Sequence, residues 1–164
     1  RVEALWSGFV RRTEFMTGIY EATAVPVLLQ TLTGTPMLAP MLRLFGVTVG
    51  RRVLLDTTYL TEFDLVHLGD DVAVGAHVSL QTHLFEDRVM KMGRVRLEEG
   101  SSMGVRGIVL YGATLGSHAE LAPLSLVMKG EYIPPGTRWI GIPARPDTTA
   151  PPPPGEAASV GGPR

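Results

Sequence analysis

Residues 97–139 read LEEGSSMGVRGIVLYGATLGSHAELAPLSLVMKGEYIPPGTRW, and every sixth position in that stretch is apolar. The series runs Leu97, Met103, Val109, Leu115, Leu121, Val127, Ile133, Trp139. A small residue follows the apolar one in Met103-Gly104 and Leu115-Gly116. An earlier run keeps the same period through Leu68-Gly69, Val74-Gly75 and Leu80, and Val49-Gly50 with Leu55 can start it. A hexapeptide period predicts a parallel β-helix: each unit makes one short strand with its apolar residue inward, and three units close a coil. Stacked coils bury a continuous core and expose strand edges at both ends, which need caps.

Working outward, the chain divides into three regions. Residues 1–46 carry a helical pattern and are expected to cap the start of the stack. Residues 47–146 form the predicted β-helix. Residues 147–164, with four consecutive prolines, lack the apolar content for a packed core and are expected to be disordered. The turn Ile133-Pro134-Pro135-Gly136 is expected to end the stack, because proline cannot donate to a strand ladder. From Ala22 to Leu42 no residue is charged, yet Pro26, Pro36 and Pro40 interrupt the run. Two short helices fit it better than a membrane span, with Thr35-Pro36 as N-cap and first helical position.

Composition narrows the function. The 164 residues hold 15 basic and 16 acidic side chains, so no basic field exists to hold nucleic acid. Cysteine is absent, which excludes a disulfide scaffold, a cysteine-based zinc site and a thiol nucleophile. His67, His77, His83 and His118 show no close metal-ligand spacing, so no metal is expected. The first residue is Arg1, and the chain is read as a piece of a longer polypeptide.

The period breaks between Leu80 and Leu97, one residue short of a whole coil. That segment, Gln81-Thr82-His83-Leu84-Phe85-Glu86-Asp87-Arg88-Val89-Met90-Lys91, packs a histidine, two acids and two bases together. A solenoid that leaves its period there projects a loop, and such loops carry function. His83 is the candidate general base, since an imidazole near pKa 6.5 suits proton transfer at neutral pH. Glu86 or Asp87 is the local candidate to orient its ring. Glu62 and Asp64, two apart on a predicted strand, are expected to share one face, where paired carboxylates can hold an ammonium group. Lys91 and Lys129 are candidate phosphate contacts.

The segment Tyr132-Ile133-Pro134-Pro135-Gly136-Thr137-Arg138-Trp139-Ile140-Gly141-Ile142-Pro143-Ala144-Arg145 resembles the last coil of hexapeptide-repeat acyltransferases, and Thr82-His83 resembles their catalytic Thr-His. The resemblance implies an all-β domain with N-terminal helices, a left-handed parallel β-helix. A narrower resemblance rests on Leu60–Val66, Leu80–Lys91 and Pro123–Glu131. These stretches look like the C-terminal tandem repeats of ε-poly-L-lysine synthetase-type nonribosomal peptide synthetases, over about residues 30–146. That family implies amide-bond formation between an aminoacyl thioester on a carrier's phosphopantetheine arm and an amino acid amine. His83 would then be the base, Glu62, Asp64, Glu86 and Asp87 would bind substrate, and Lys91 and Lys129 would lie near the phosphopantetheine phosphate. It also implies adenylation and carrier domains in the same polypeptide and sister β-helix domains, within the chain or as a homo-trimer. The parent would be membrane-anchored, with this domain facing the cytoplasm. Two readings stand beside it: an acetyl-CoA-dependent hexapeptide acetyltransferase, and a non-catalytic scaffold repeat. Glu98 follows Leu97 where the repeat favours glycine, which alters only the local coil shape.

Overall fold

A computed structural model describes residues 2–149 of the chain. The hexapeptide positions line up as the period requires. Val49, Leu68, Leu97, Leu115 and Ile133 stack in register on one parallel sheet. Leu55, Val74, Met103, Leu121 and Trp139 stack on a second, and Leu80, Val109 and Val127 on a third. Successive neighbours in the later coils are 18 residues apart, three faces of six. These side chains point inward and form one continuous core, with Leu80, Val109, Leu115, Leu121 and Ile133 fully buried. Adjacent coils lie so close that glycine is needed at their corners. A Cβ on Gly116 would sit 2.8 Å from the Pro135 nitrogen and 2.9 Å from the Ile133 carbonyl oxygen.

The phase break has a different origin from the one the sequence suggests. Leu80 and Leu97 occupy neighbouring faces, not one face a coil apart, so the gap between them is a six-residue face plus an insertion of 11 residues. The insertion is an antiparallel hairpin with strands His83–Glu86 and Val89–Met92. Asp87 and Arg88 form its two-residue turn, both at positive φ (52° and 61°), the pattern of a type I′ turn. Val2–Ala4 adds a third antiparallel strand along Val89–Met92.

The chain then enters a helical arm. Ser7 caps the helix Gly8–Ile19, its hydroxyl accepting from the Val10 N–H at 3.3 Å. Two short helices were expected between residues 22 and 42, but the helical path runs straight on through a π-helical segment, Tyr20–Leu29, and one turn, Gln30–Leu32. Pro26 lies inside the π segment, where the wider turn accommodates a residue without an N–H. A second helix, Leu38–Leu44, follows, and Thr35 accepts from the Met37 N–H at 3.3 Å just ahead of it. No helix among the described residues is long and apolar enough to cross a membrane.

Leu29, Leu38 and Leu42 are fully buried against the first coil, so the arm closes the start of the stack. Tyr20 meets Phe45 and Phe63 edge-on beside it, with Tyr20 and Phe63 ring centroids 4.5 Å apart, and the two phenylalanine rings are tilted at 45° to each other. Burial, together with the neighbouring Glu21 charge, pushes the Tyr20 hydroxyl up to about 12. At the other end the proline-rich turn does not stop the sheet. Arg138–Ile140 still pairs with the coil below, and Arg145–Pro146 folds back antiparallel upon it. Prolines 134 and 135 are tolerated because they lie at a corner between faces rather than within a ladder. Order also reaches past 146: the Asp147 N–H donates to the Arg138 carbonyl at 2.8 Å. Residues 150–164 of the expected disordered tail lie outside the described residues.

Candidate active site

Two segments that are distant in sequence meet where the hairpin leaves the stack. Thr61 and Glu62 precede the short 3-10 turn Phe63–Leu65, and Glu62 has an unusual backbone at φ 25° and ψ 85°. Thr82 is fully buried on the last position before the hairpin, and His83 opens its first strand. The Thr82 N–H donates to the Thr61 hydroxyl at 3.1 Å, which holds the two segments side by side.

Glu62 Oε2 accepts from both neighbours: His83 Nδ1 lies 2.7 Å away, and the Thr82 hydroxyl donates to the same oxygen. With its one proton committed there, Thr82 accepts from the Thr61 hydroxyl at 2.8 Å. A chain of hydrogen bonds thus runs Thr61 to Thr82 to Glu62, with His83 joining from the other side. An ionised carboxylate only accepts, so Nδ1 carries the proton and the Nε2 lone pair is free to take another.

The Glu62 side chain is 7% exposed and that of His83 is 13% exposed. Burial alone would raise the Glu62 carboxyl, but the bonds from His83, Thr82 and Thr61 outweigh it and hold the group below the ordinary carboxylate value. Burial likewise opposes charge on His83, but hydrogen bonding and attraction from Glu62, helped by Glu14, raise it above its ordinary 6.5. The Phe85 ring stands edge-on to the imidazole at 5.2 Å. His83 opens onto a cavity of about 310 Å³, with Thr61, Gln81, Leu84 and Phe85 among its walls. A larger cavity of about 870 Å³ lies between the arm and the stack, and Glu62 and Asp64 line it.

The other candidate residues fall elsewhere. Glu62 and Asp64 do not share a strand face, because the chain turns into the 3-10 segment between them. Glu62 is committed to His83, which makes it the ring's orienting carboxylate in place of Glu86 or Asp87. Glu86 instead sits between two lysines, 3.0 Å from Lys91 Nζ and 2.8 Å from Lys129 Nζ. Those bonds hold its carboxyl below the ordinary range and raise both ammonium groups. Lys91 and Lys129 are therefore ion-paired, and Lys129 ties the hairpin tip to the stack 43 residues on. The Asp87 side chain is 89% exposed at that tip, 3.5 Å from Lys91. Among the described residues no group of three or more His, Asp or Glu side chains is arranged to hold a metal.

The sequence did not pair Glu62 with His83. The spacing of 21 residues was the available signal, since Val49 and Leu68 already lie 19 apart on one face. Glu14 was missed altogether. Its Oε1 lies 3.9 Å from His83 Nε2, brought there by the arm.

No family model matches the chain. It is 47% identical over 146 residues to delta-poly-L-ornithine synthetase of Acinetobacter baumannii (strain AB307-0294). That match takes in 89% of this chain and 11% of the relative, so the chain spans about a tenth of the relative's length. Among solved structures it is similar to a maltose O-acetyltransferase from Clostridium difficile 630. The TM-score is 0.64 at 15% identity, covering 90% of this chain and 91% of that one. It is also similar to a hexapeptide-repeat-containing acetyltransferase from Vibrio cholerae, with a TM-score of 0.63 at 15% identity, covering 86% and 92%. The chain has the fold of the hexapeptide-repeat acetyltransferases. The Vibrio protein is also known in complex with acetyl-CoA.

Proposed function

We propose that this left-handed β-helix is an amide-forming condensing domain. Its donor is an aminoacyl thioester on the phosphopantetheine arm of a carrier domain, and its acceptor is the amine of an amino acid or a growing chain. The observation that carries the reading is the 2.7 Å bond between Glu62 Oε2 and His83 Nδ1 beside a cavity, in a chain 47% identical to part of a poly-ornithine synthetase. A buried imidazole oriented by a carboxylate is a general base with its free nitrogen fixed in direction.

The chemistry follows from that nitrogen. An alkylamine is an ammonium ion at neutral pH, with pKa ~10.4 in water, and must first give up one proton to solvent. The free amine attacks the thioester carbonyl and forms a C–N bond. His83 Nε2 takes the second proton from nitrogen, the C–S bond breaks, and the imidazolium returns that proton to the departing thiolate. The products are an amide and a free phosphopantetheine thiol. Glu62 stabilises the transient imidazolium and keeps Nε2 aimed at the acceptor.

Adenylation and carrier domains of the same polypeptide would supply the donor. Sister β-helix domains, in tandem or as a trimer, would complete the groove for the arm. The parent is read as membrane-anchored with this domain on the cytoplasmic side. Lys91 and Lys129 would meet the arm's phosphate as a cluster shared with Glu86.

A second reading, acetyl-CoA-dependent acetyl transfer, is favoured by the fold neighbours, which include a galactoside acetyltransferase in complex with coenzyme A. One experiment separates the two. The protein is offered a carrier-bound aminoacyl thioester or acetyl-CoA, each with a free amino acid, and each repeated with His83→Ala. Amide from the carrier thioester alone, reduced roughly 10²–10⁴-fold in the variant, supports the condensing role. Product from acetyl-CoA alone makes this an acetyltransferase. Turnover unaffected by the substitution assigns a scaffold role.

A further inference from the structure

We propose that the helical arm supplies the acceptor end of the site, with Glu14 holding a cationic amine against His83 and Glu21 adding negative charge to the cavity wall. This deepens the condensing reading and rests on it.

The first observation is a distance. Glu14 Oε1 lies 3.9 Å from His83 Nε2, too far for a direct hydrogen bond. It is also less than twice a hydrogen-bond length, so one nitrogen can lie within about 2.9 Å of both atoms at once. A group that donates to both must carry at least two N–H bonds. An ammonium or primary amine meets this requirement, and an ester or ether does not. Nε2 is the one imidazole atom that remains free once Glu62 has engaged Nδ1.

The second observation is the make-up of the cavity. Glu21, two helical turns beyond Glu14, lines the same 310 Å³ space as His83. At 1.5 Å rise per residue the two backbone positions stand about 10 Å apart along the arm, so Glu21 acts on the cation through its charge rather than by contact. Leu60 and Leu84 give the walls an apolar surface, and Tyr59 and Phe85 give it aromatic faces. None of the lining residues is lysine or arginine. An aliphatic chain ending in an ammonium group matches that lining: leucines and aromatic rings face the chain, and the one charged lining residue, Glu21, is an acid. Neither Arg11 nor Arg12 neutralises Glu14. Among the described residues His83 is the only basic side chain within ion-pair reach of it.

The third observation is how the arm is held. Val2–Ala4 pairs with the hairpin strand, and Val10 packs with Met90 and Met92 under that strand. The arm and hairpin therefore share one small core, so Glu14 and His83 are placed by the same packing. The Glu14 side chain is 48% exposed and Glu21 is exposed, so replacing either leaves the core intact.

The test is binding, read apart from turnover. The probes are n-pentylammonium chloride and 1-pentanol, titrated into the protein while the His83 ring protons are followed by NMR. The expected result is a saturable shift with pentylammonium that is weakened about tenfold in Glu14→Gln and further in Glu14→Gln/Glu21→Gln. Glu14→Asp should retain part of the affinity, and added salt should weaken the wild-type interaction. Pentanol should show no difference between wild type and variants. Pentylammonium binding unchanged in the double variant, or binding that leaves the His83 signals unmoved, overturns the proposal. Loss of the condensing reading would appear separately, as turnover that survives His83→Ala while pentylammonium binding stays intact.

Discussion

His83 Nδ1 and the Thr82 hydroxyl both donate to one oxygen of Glu62, while the other oxygen, Oε1, is buried without a hydrogen-bond partner. One carboxylate oxygen thus carries the whole task of orienting the imidazole. The backbone at Glu62, with φ 25°, is a conformation that side chains seldom adopt, and it delivers the carboxylate across the coil to His83. Position and strain coincide at the residue on which the base depends.

The raised pKa of His83 fixes the direction of the pH profile. The base works as neutral imidazole, so activity falls as pH drops through its folded value. Glu62 and Glu14 raise that value, so the acid limb of kcat/KM should lie above the ordinary 6.5. Glu62→Gln removes the largest upward influence while keeping the shape. The limb should then move to lower pH, and the rate above it should fall, because an amide orients the ring less strongly and does not stabilise an imidazolium. A limb that stays in place in Glu62→Gln would assign it to another group. NMR titration of the His83 ring in both proteins gives the same comparison without substrate.

Thr82→Val keeps the volume and removes the hydroxyl. Thr82 is fully buried, so Glu62 Oε2 loses a donor that water cannot replace, and the Thr61 hydroxyl loses its acceptor. Leaving a charged group underbonded in the interior should cost about 1–3 kcal/mol in denaturant unfolding. Turnover should fall by less than in His83→Ala, since the ring keeps its direct bond to Glu62. A variant as stable as wild type would mean that the hydroxyl chain contributes nothing measurable.

The sequence and the structure agree most closely where one short-range rule acts alone. The hexapeptide period at Leu97, Met103, Val109 and Leu115 is written by burial, and each of these side chains is buried in the stack. His83 was legible because it stands where that period breaks. The nature of the break was not legible: the turn Asp87-Arg88 holds two positive-φ residues without the glycine that signals a hairpin. The partners of His83 were hidden for a different reason. Glu62 reaches it by coil stacking and Glu14 by the docking of the arm, and both are long-range relations that composition does not encode. Glu86 was drawn to His83 by proximity in sequence, but strand alternation and two lysines turn it to another task. Pro26 was read as a helix break, yet local π winding absorbed it.

Leu115→Ala tests whether the stack is one cooperative core. Leu115 has no exposed surface and lies between Leu97 below and Ile133 above, in register on the same sheet. Removing three methyl-sized groups there loses their transfer energy and leaves a void that stacked coils close poorly, because the backbone ladder fixes their spacing. The expected loss is 2–5 kcal/mol, roughly the range for buried leucine truncations. Gly116→Ala, one residue on, probes the same spacing from the opposite direction. It adds a methyl 2.8 Å from the Pro135 nitrogen, so the coils must part and stability should drop by about 1–3 kcal/mol. If the stack unfolds as one unit, circular dichroism and the His83 ring signals should lose structure at the same denaturant concentration in both variants. A His83 signal that survives the loss of sheet would show that the hairpin and arm, with their own core of Val10, Met90 and Met92, hold the site independently of the coils.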